Sequence, residues 1–260
     1  MADRASLDKA KLEVAIGTRI LSELGLASGL RASLGHTSMR VPGDPSKFYV
    51  KGRGYRVDVL ERMRPEDMVL CDLDGNWLDG PANSLQCSEV KIHSCILRAR
   101  PEVVSVTHVH PDYAVLLSTL GLPIKPMAQE GAGLVIDPLP VMNQTKIITS
   151  DAEGEEVVRT LGSGNAMLLL GHGAVTVSER SVEGSVMAMA QIEHQARLTF
   201  LGMSVGGVNH ASIPRELAEA VGKSAPGLEP HIKARLDNIE GGRAGEGIWG
   251  FYREVVSSTM

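Results

Sequence analysis

The chain has 260 residues, a length that allows one large domain or two small ones. Its 26 Lys and Arg residues against 31 Asp and Glu residues give a net charge of −5, and no long basic run could neutralise a row of nucleic-acid phosphates. We therefore expect no nucleic-acid partner. The three cysteines lack C-x-x-C spacing, which argues against both a disulfide framework and a thiolate zinc site.

The hydropathy of the chain indicates neither a targeting segment nor a membrane span. The start, Met1-Ala2-Asp3-Arg4, leads to Lys9 and Lys11 rather than to the apolar stretch of a secretory signal. Even the apolar run 166–170 is far below the roughly 18 residues that cross a bilayer. We expect a cytoplasmic protein without a membrane partner.

Helices alternate with short strands in the first half of the chain. An amphipathic helix begins near Ser6 and ends near Gly25, because apolar residues recur every four positions. The pair Asp74-Gly75 before Trp77-Leu78 predicts a hairpin. Ser88 can cap a helix that ends at about Pro101. The β-prone segments are 37–41, 47–50, 68–72 and, after that helix, a buried strand that starts at Val103.

The second half continues this alternation. Pro111 suits the first turn of a helix that reaches Leu120. An apolar strand over 166–170 and a β-prone segment over 175–177 then precede a long helix from Ser181 to about Met203. The simplest interpretation is a single α/β domain. Beyond about residue 205 the sequence predicts helices at 214–221 and 231–239 and then a Gly-rich tail from Gly241.

Two histidines, His108 and His110, stand two positions apart where the predicted strand ends. Alternate side chains of a strand point to the same face, so both imidazoles can bind one ion. Imidazole is the commonest metal ligand in proteins. The pair predicts either a divalent metal site or two packed histidines, and the spacing alone leaves both open.

Two further features favour a metal. Gly171-His172-Gly173 places a third imidazole at the end of an apolar strand, between residues whose missing side chains would leave room for a ligand. Glu89 lies at the start of the helix that Ser88 caps, where the helix dipole favours a carboxylate. Each feature by itself is more typical of a turn histidine or a first-turn glutamate.

Taken together, Ser88-Glu89, His108-Val109-His110-Pro111 and Gly171-His172-Gly173, in this order and spacing, closely resemble the class II aldolase/adducin family. The resemblance spans roughly residues 12–201. It includes Gly35-His36-Thr37-Ser38-Met39-Arg40, which looks like the glycine-led first loop of that family.

The resemblance implies a three-layer α/β/α fold with a central, largely antiparallel sheet. It implies a single domain over residues 1–260, of which 205–260 form a helical and Gly-rich extension. A divalent ion would be held by His108, His110 and His172, with Glu89 as a ligand or acid/base group. The resemblance also implies a cyclic homotetramer with sites between subunits. The ligands suit Mn²⁺, Zn²⁺, Fe²⁺ or Co²⁺, and the sequence does not select among them.

The segment that binds phosphate in the family's sugar-phosphate members differs here. Those members use a small-residue loop after the second strand and a Ser-Ser pair before the glutamate. Here the loop reads Val50-Lys51-Gly52-Arg53-Gly54-Tyr55, and the pair reads Cys87-Ser88. A planar guanidinium between glycines suits bidentate contact with a carboxylate. Lys51, Arg53 and Ser88 are therefore predicted to bind an anionic substrate, and an exposed cationic turn is the alternative.

These departures resemble the family's decarboxylase branch, whose members act on 3,4-dihydroxyphthalate or 3-hydroxy-2-methylpyridine-4,5-dicarboxylate. Both substrates carry adjacent carboxylates and a hydroxyl group ortho to the one that leaves. The leading hypothesis is a metal-dependent, non-oxidative decarboxylase of aromatic catabolism, with Glu89 or His36 delivering the proton. His93, one helical turn after Glu89, either contacts this site or is simply packed.

Two other hypotheses stay open. An aldolase or epimerase of a small sugar phosphate or sugar acid would use the same metal ligands, and only Lys51 and Arg53 argue against it. An adducin-like scaffold would keep the fold without activity, which the complete set of three histidines and Glu89 makes less attractive. In an enzyme, the tail with Trp249 and Tyr252 is expected to cover an active site, its own or a neighbour's, with Tyr252 contacting substrate.

Overall fold

The computed structural model describes residues 4–223 and 247–260, in which seven α-helices and nine strands are joined by loops and four short 3-10 helices. The helices are α1 (Arg4–Glu23), α2 (Val90–Ala99), α3 (Asp112–Thr119), α4 (Asp151–Leu161), α5 (Val182–Gly206), α6 (Arg215–Lys223) and α7 (Gly247–Ser257). The strands are β1 (Gly35–Val41), β2 (Asp44–Arg53), β3 (Met68–Asp72), β4 (Trp77–Asp79), β5 (Leu85–Gln86), β6 (Ser105–Val109), β7 (Val141–Met142), β8 (Ala166–Leu169) and β9 (Gly173–Ser178). None of these helices is long and apolar enough to cross a bilayer.

One sheet contains all of these strands, in the order β4-β3-β2-β1-β6-β9-β8-β7, with β5 paired to β2 beside this path. Every pairing is antiparallel except that of β7 with β8. Strand β6 lies between β1 and β9, so three segments that are far apart in the sequence become neighbours at the middle of the sheet. These are the segments in which the sequence places the histidines.

Helices cover both faces of the sheet. Helices α1, α3, α5 and α7 contribute to one hydrophobic cluster, and α2 and α4 contribute to a second cluster on the opposite face. Strand β6 shows the alternation, because Val106 joins the α2 side and Val109 joins the α1 side. This arrangement confirms the expected three-layer α/β/α architecture with a largely antiparallel sheet. The expectation of a single domain stays a prediction.

The predicted elements are present, with three differences in their limits. The strand expected from Val103 begins at Ser105, because the Val103 amide closes a turn on the Arg100 carbonyl 3.0 Å away. The segment 35–40, which resembles a loop of the family, belongs to strand β1, in agreement with the β-prone prediction for 37–41, and its residues 35–39 pair with β6. Of the second expected loop, 50–55, the part up to Arg53 belongs to β2, where Gly52 and Arg53 pair with β5.

Within the described part of the C-terminal region, Gly247–Ser257 form a packed helix. Trp249 on α7 is 1% exposed and lies in the same cluster as α1, and Arg253 forms an ion pair with Glu13 of α1 at 2.9 Å. The Trp249 ring therefore fills the core of its own chain and does not line the pocket of that chain, and the expectation that the tail covers a neighbour's site stays a prediction. The helix predicted at 231–239 and the residues 241–246 lie outside the described residues.

Replacing Trp249 with Ala is expected to reduce the free energy of unfolding by about 3 to 5 kcal/mol, because the change empties a buried site. Phe251 on the same helix is 60% exposed, so Phe251→Ala should change this free energy by about 0.5 kcal/mol or less. Urea unfolding of both variants measures the difference. Equally small losses would mean that Trp249 does not anchor α7.

Candidate metal centre

Three imidazoles and one carboxylate converge beside the middle of the sheet. One potential ligand atom from each of the four residues lies within 4.8 Å of the others. His108 belongs to β6 and His110 directly follows it, whereas His172 directly precedes β9 and Glu89 directly precedes α2. The fold therefore brings together the four residues that the sequence predicted as metal ligands: Glu89, His108, His110 and His172.

The distances within this cluster suit a small divalent ion. The Nε2 atoms of His108 and His110 are 3.1 Å apart. Glu89 places its Oε2 3.2 Å from His108 Nε2 and its Oε1 3.5 Å from His172 Nε2. Two ligands of a tetrahedral ion with bonds of roughly 2.0–2.1 Å lie roughly 3.3 Å apart. The three distances match that separation, so the donor set fits one ion.

The hydrogen bonds of the rings determine which nitrogens can bind a cation. Nδ1–H of His108 donates to the carbonyl of Ala174 at 2.9 Å, which leaves the lone pair on Nε2. Burial, together with the neighbouring His108 and His172, lowers the pKa of His110 to about 3. His110 is therefore neutral near pH 7, the form in which imidazole binds a metal.

Glu89 supplies the negative charge of the cluster. Burial raises the pKa of its carboxyl, but His108 and His172 lower that pKa by more, so the net shift is downward. The Ile148 amide donates to Glu89 Oε1 at 3.0 Å and holds the carboxylate in place. Glu89 is also the N-cap residue of α2, so the prediction that Ser88 caps this helix is wrong. The Glu89 side chain makes no capping hydrogen bond, because it points to the histidines instead.

Gly173 has a steric reason to lack a side chain. A Cβ atom built on it would lie 2.6 Å from the Val109 carbonyl oxygen and 2.8 Å from Cε1 of His108. Contacts of this length are not tolerated, so any larger residue would displace the strand or the imidazole. This glycine therefore makes room for a histidine ring, whereas the sequence interpretation assigned the room to a ligand.

A pocket of about 410 Å³ opens beside the cluster. Arg53 is exposed there, and its guanidinium makes no hydrogen bond or ion pair with another described residue. The Lys51 side chain is buried, and its ammonium group contacts the Asp58 carboxylate. Arg53 is thus free to bind an anion, whereas the charge of Lys51 is already balanced. The pocket lining includes every predicted catalytic and substrate-binding residue except Tyr252: His36, Lys51, Arg53, Ser88 and Glu89.

Tyr252 lies on α7, half-buried against the hydrophobic cluster that contains Trp249. It does not line the pocket of its own chain. A contact between Tyr252 and substrate therefore requires the pocket of a neighbouring subunit, and that role stays a prediction.

A second group of potential ligands, His36, His93 and Cys87, is buried, and His36 and Cys87 also line the pocket. His36 Nδ1 lies 2.6 Å from His93 Nε2, and His93 Nδ1 lies 2.7 Å from the Ser38 hydroxyl oxygen. Burial lowers the pKa of His93 to about 3 and raises the pKa of the Cys87 thiol. Two nitrogens only 2.6 Å apart share a hydrogen bond rather than an ion. His36, His93 and Ser38 therefore form a chain of hydrogen bonds that fixes the orientation of the His36 ring.

Two residues of the site carried no usable sequence signal. Ile148 contributes only its backbone amide, and any residue type except proline supplies that group. Asp58 follows Arg53 in an irregular segment, and only the fold shows that its carboxylate contacts Lys51 and accepts the Gly54 amide at 3.1 Å.

Comparison with known proteins defines the class. Residues 13–200 match the model of the family described as Class II Aldolase and Adducin N-terminal domain, so the chain belongs to this family. The fold is similar to that of L-fuculose 1-phosphate aldolase from Glaciozyma antarctica PI12, with a TM-score of 0.76 and 21% identity over 99% of this chain and 94% of that chain. An aldolase II superfamily protein from Pseudomonas syringae gives the same TM-score and identity over 99% and 95% of the two chains.

Curated relatives are similar over most of the chain. The 3,4-dihydroxyphthalate decarboxylase of Terrabacter sp. (strain DBF63) is 30% identical over 85% of this chain and 92% of that protein. The protein of the same name from Arthrobacter keyseri is 31% identical over 76% and 80% of the two chains. The resemblance inferred from the sequence motifs is confirmed, and so is the expectation that the chain is an enzyme of the lyase class.

Replacing His108, His110 or His172 singly with Ala is expected to weaken binding of a divalent ion by ~10-fold or more, because each change removes one ligand. Metal content after dialysis, measured by mass spectrometry, tests this. His194 is exposed on α5, and His194→Ala should keep the metal content of the wild type. Full metal content in all three site variants would place the ion elsewhere.

Proposed function

We propose that this chain is a metal-dependent, non-oxidative decarboxylase of an ortho-hydroxy aromatic compound with adjacent carboxylates, such as 3,4-dihydroxyphthalate. The observation that carries the proposal is the exposed, unpaired guanidinium of Arg53 in the same pocket as the histidine cluster. The names of three relatives, each a 3,4-dihydroxyphthalate decarboxylase, support it. A hydroxypyridine dicarboxylate carries the same groups in the same arrangement and is the alternative substrate.

Arg53 is assigned to the carboxylate that the product retains. A guanidinium presents two parallel N–H donors that match the two oxygens of a carboxylate. The turn that carries Arg53 is held by Asp58, which contacts both Lys51 and the Gly54 amide. In this proposal Lys51 and Asp58 position Arg53, and the exposed Ser88 hydroxyl at the pocket wall is a further hydrogen-bond donor to substrate.

The reaction exchanges a carboxylate for a proton on the ring. A divalent ion on the three imidazoles would act as a Lewis acid towards the ortho oxygen of the substrate. The ring carbon that bears the departing carboxylate takes up the proton, and then the carbon–carbon bond breaks so that its electrons return to the ring as CO₂ leaves. Glu89 and His36 line the pocket and are the two groups assigned to move that proton.

The proposal also covers the metal content, the oligomeric state and the cellular location of the protein. It includes one divalent ion per subunit, Mn²⁺ or Zn²⁺ in the first place and Fe²⁺ or Co²⁺ as alternatives. It includes a homotetramer whose pockets lie at subunit interfaces, where Tyr252 of one subunit reaches the substrate of another. It also includes a cytoplasmic location, which the three free cysteines support because cytosolic thiols stay reduced.

Glu89→Gln is expected to fold and to lower the rate of CO₂ release from 3,4-dihydroxyphthalate by ~100-fold or more, because an amide cannot carry the proton. Ser88 is adjacent and exposed, so Ser88→Ala is the matched control and should lose less than about tenfold in kcat. Both variants are assayed at equal metal content. Near wild-type turnover of Glu89→Gln would remove Glu89 from the chemistry.

Arg53→Ala is expected to lower kcat/KM by roughly ten- to a hundred-fold, since a guanidinium–carboxylate hydrogen bond contributes about 1.5 to 3 kcal/mol. Arg53→Lys should be impaired too, because an ammonium group lacks the fork geometry. Metal content should not change in either variant. Arg180 is exposed in the turn between β9 and α5, and Arg180→Ala should keep wild-type kinetics.

The aldolase hypothesis makes the opposite forecast for the wild-type protein. An aldolase of this family would cleave a small sugar phosphate or sugar acid and release no CO₂ from ortho-hydroxy aromatic dicarboxylates. Both assays on one metal-loaded sample distinguish the two activities. Aldol cleavage without CO₂ release would overturn the proposed function.

A further inference from the structure

A second pocket, of about 590 Å³, shares no lining residue with the pocket at the metal centre. Guanidinium groups dominate its lining, and the proposed decarboxylation uses none of them. Two carboxyl groups, those of Glu66 and Asp67, face the same space. The four arginines are Arg19, Arg56, Arg62 and Arg64.

Arg19 is the buried arginine of this pocket, and its positive charge lacks an ion-pair partner among the described residues. It is only 3% exposed, and its guanidinium contacts two neutral groups, the Met63 carbonyl at 3.4 Å and the Thr259 hydroxyl. Its Nε–H is buried and has no acceptor within the described residues. Proteins almost always pair a buried charge, because removal from water is costly. The described residues provide no anionic partner for the Arg19 guanidinium.

The carboxyl groups near the pocket do not balance the other arginines. Arg62 lies 3.5 Å from Glu61, and Arg64 lies 3.8 Å from Glu66, and both pairs are exposed. Exposed pairs of this kind contribute little. Arg56 is exposed and forms no ion pair with a described residue.

We propose that this second pocket binds a small molecule that carries an oxyanion group, a phosphate or a carboxylate. Guanidinium forks bind both groups through paired N–H donors, and the volume lies in the range of small-molecule sites. The site does not depend on the proposed decarboxylation. It differs from the metal pocket in its residues and in having no potential metal ligand cluster among the described residues.

Arg56 and Arg180 make a matched pair for testing this site. Both are exposed arginines, yet Arg56 lines the second pocket and Arg180 lines neither of the two pockets. Each can be changed to Gln without disturbing an ion pair between described residues. A difference between the two variants therefore locates the anion.

The experiment is calorimetric titration of the full chain with inorganic phosphate and, separately, with succinate at low ionic strength. Saturable binding of at least one probe is expected, and the probe that binds identifies the phosphate or carboxylate source. Arg56→Gln should weaken this binding by about tenfold, and Arg180→Gln should leave it unchanged. The inference is overturned if neither probe saturates, if Arg56→Gln binds like the wild type, or if Arg180→Gln weakens binding as much as Arg56→Gln does.

Arg19→Met gives an independent readout, because it removes the unpaired buried charge and keeps an apolar stem. Without phosphate, its unfolding temperature should equal or exceed that of the wild type, since an uncompensated buried charge is unfavourable. Added phosphate should raise the unfolding temperature of the wild type but not that of the variant. An equal rise in both proteins would overturn the assignment of Arg19 to the site.

Discussion

The pairing of β6 between β1 and β9 is the constraint on which the candidate metal centre depends. In this register His108 lies opposite His36 of β1, and Val109 lies opposite Ala174 of β9. A slip of one residue would turn His108 towards the hydrophobic cluster of α1 and α5 and would remove it from Glu89. The hydrogen bond from the His108 ring to the Ala174 carbonyl adds a side-chain contact across the same pair of strands. The register of the sheet therefore also determines the geometry of the histidine cluster.

Burial determines which histidines of the site are uncharged near pH 7. It lowers the pKa values of His36, His93 and His110, so these rings contribute no positive charge near pH 7. Glu89 stays ionised because His108 and His172 outweigh the effect of its burial. A divalent ion would leave the cluster with a net positive charge, and Arg53 adds another at the pocket wall. Such a site favours a substrate with two negative charges over a neutral one.

The four residues of the cluster were predicted in part from local geometry and as a complete set from the family resemblance. The alternation of a strand places His108 and His110 on one face, and the glycines beside His172 mark a turn into the next strand. The sequence did not predict the place of Trp249, because Gly-rich composition and an aromatic residue suit a lid as well as a packed helix. The two outcomes differ in whether Trp249 packs against α1, and this contact is visible only in the fold. The contact of Lys51 with Asp58 escaped prediction for a similar reason, since it depends on a turn without a regular period.

The hydrogen bond from the Ile148 amide to Glu89 also links the carboxylate to the surface of the protein. The neighbouring Ile147 side chain is 58% exposed and lines the metal pocket. Whenever the carboxylate leaves its position, the Ile148 amide loses this acceptor. Because an amide must open its hydrogen bond before it exchanges, the deuterium exchange rate of this one backbone proton depends on the position of the buried Glu89 side chain.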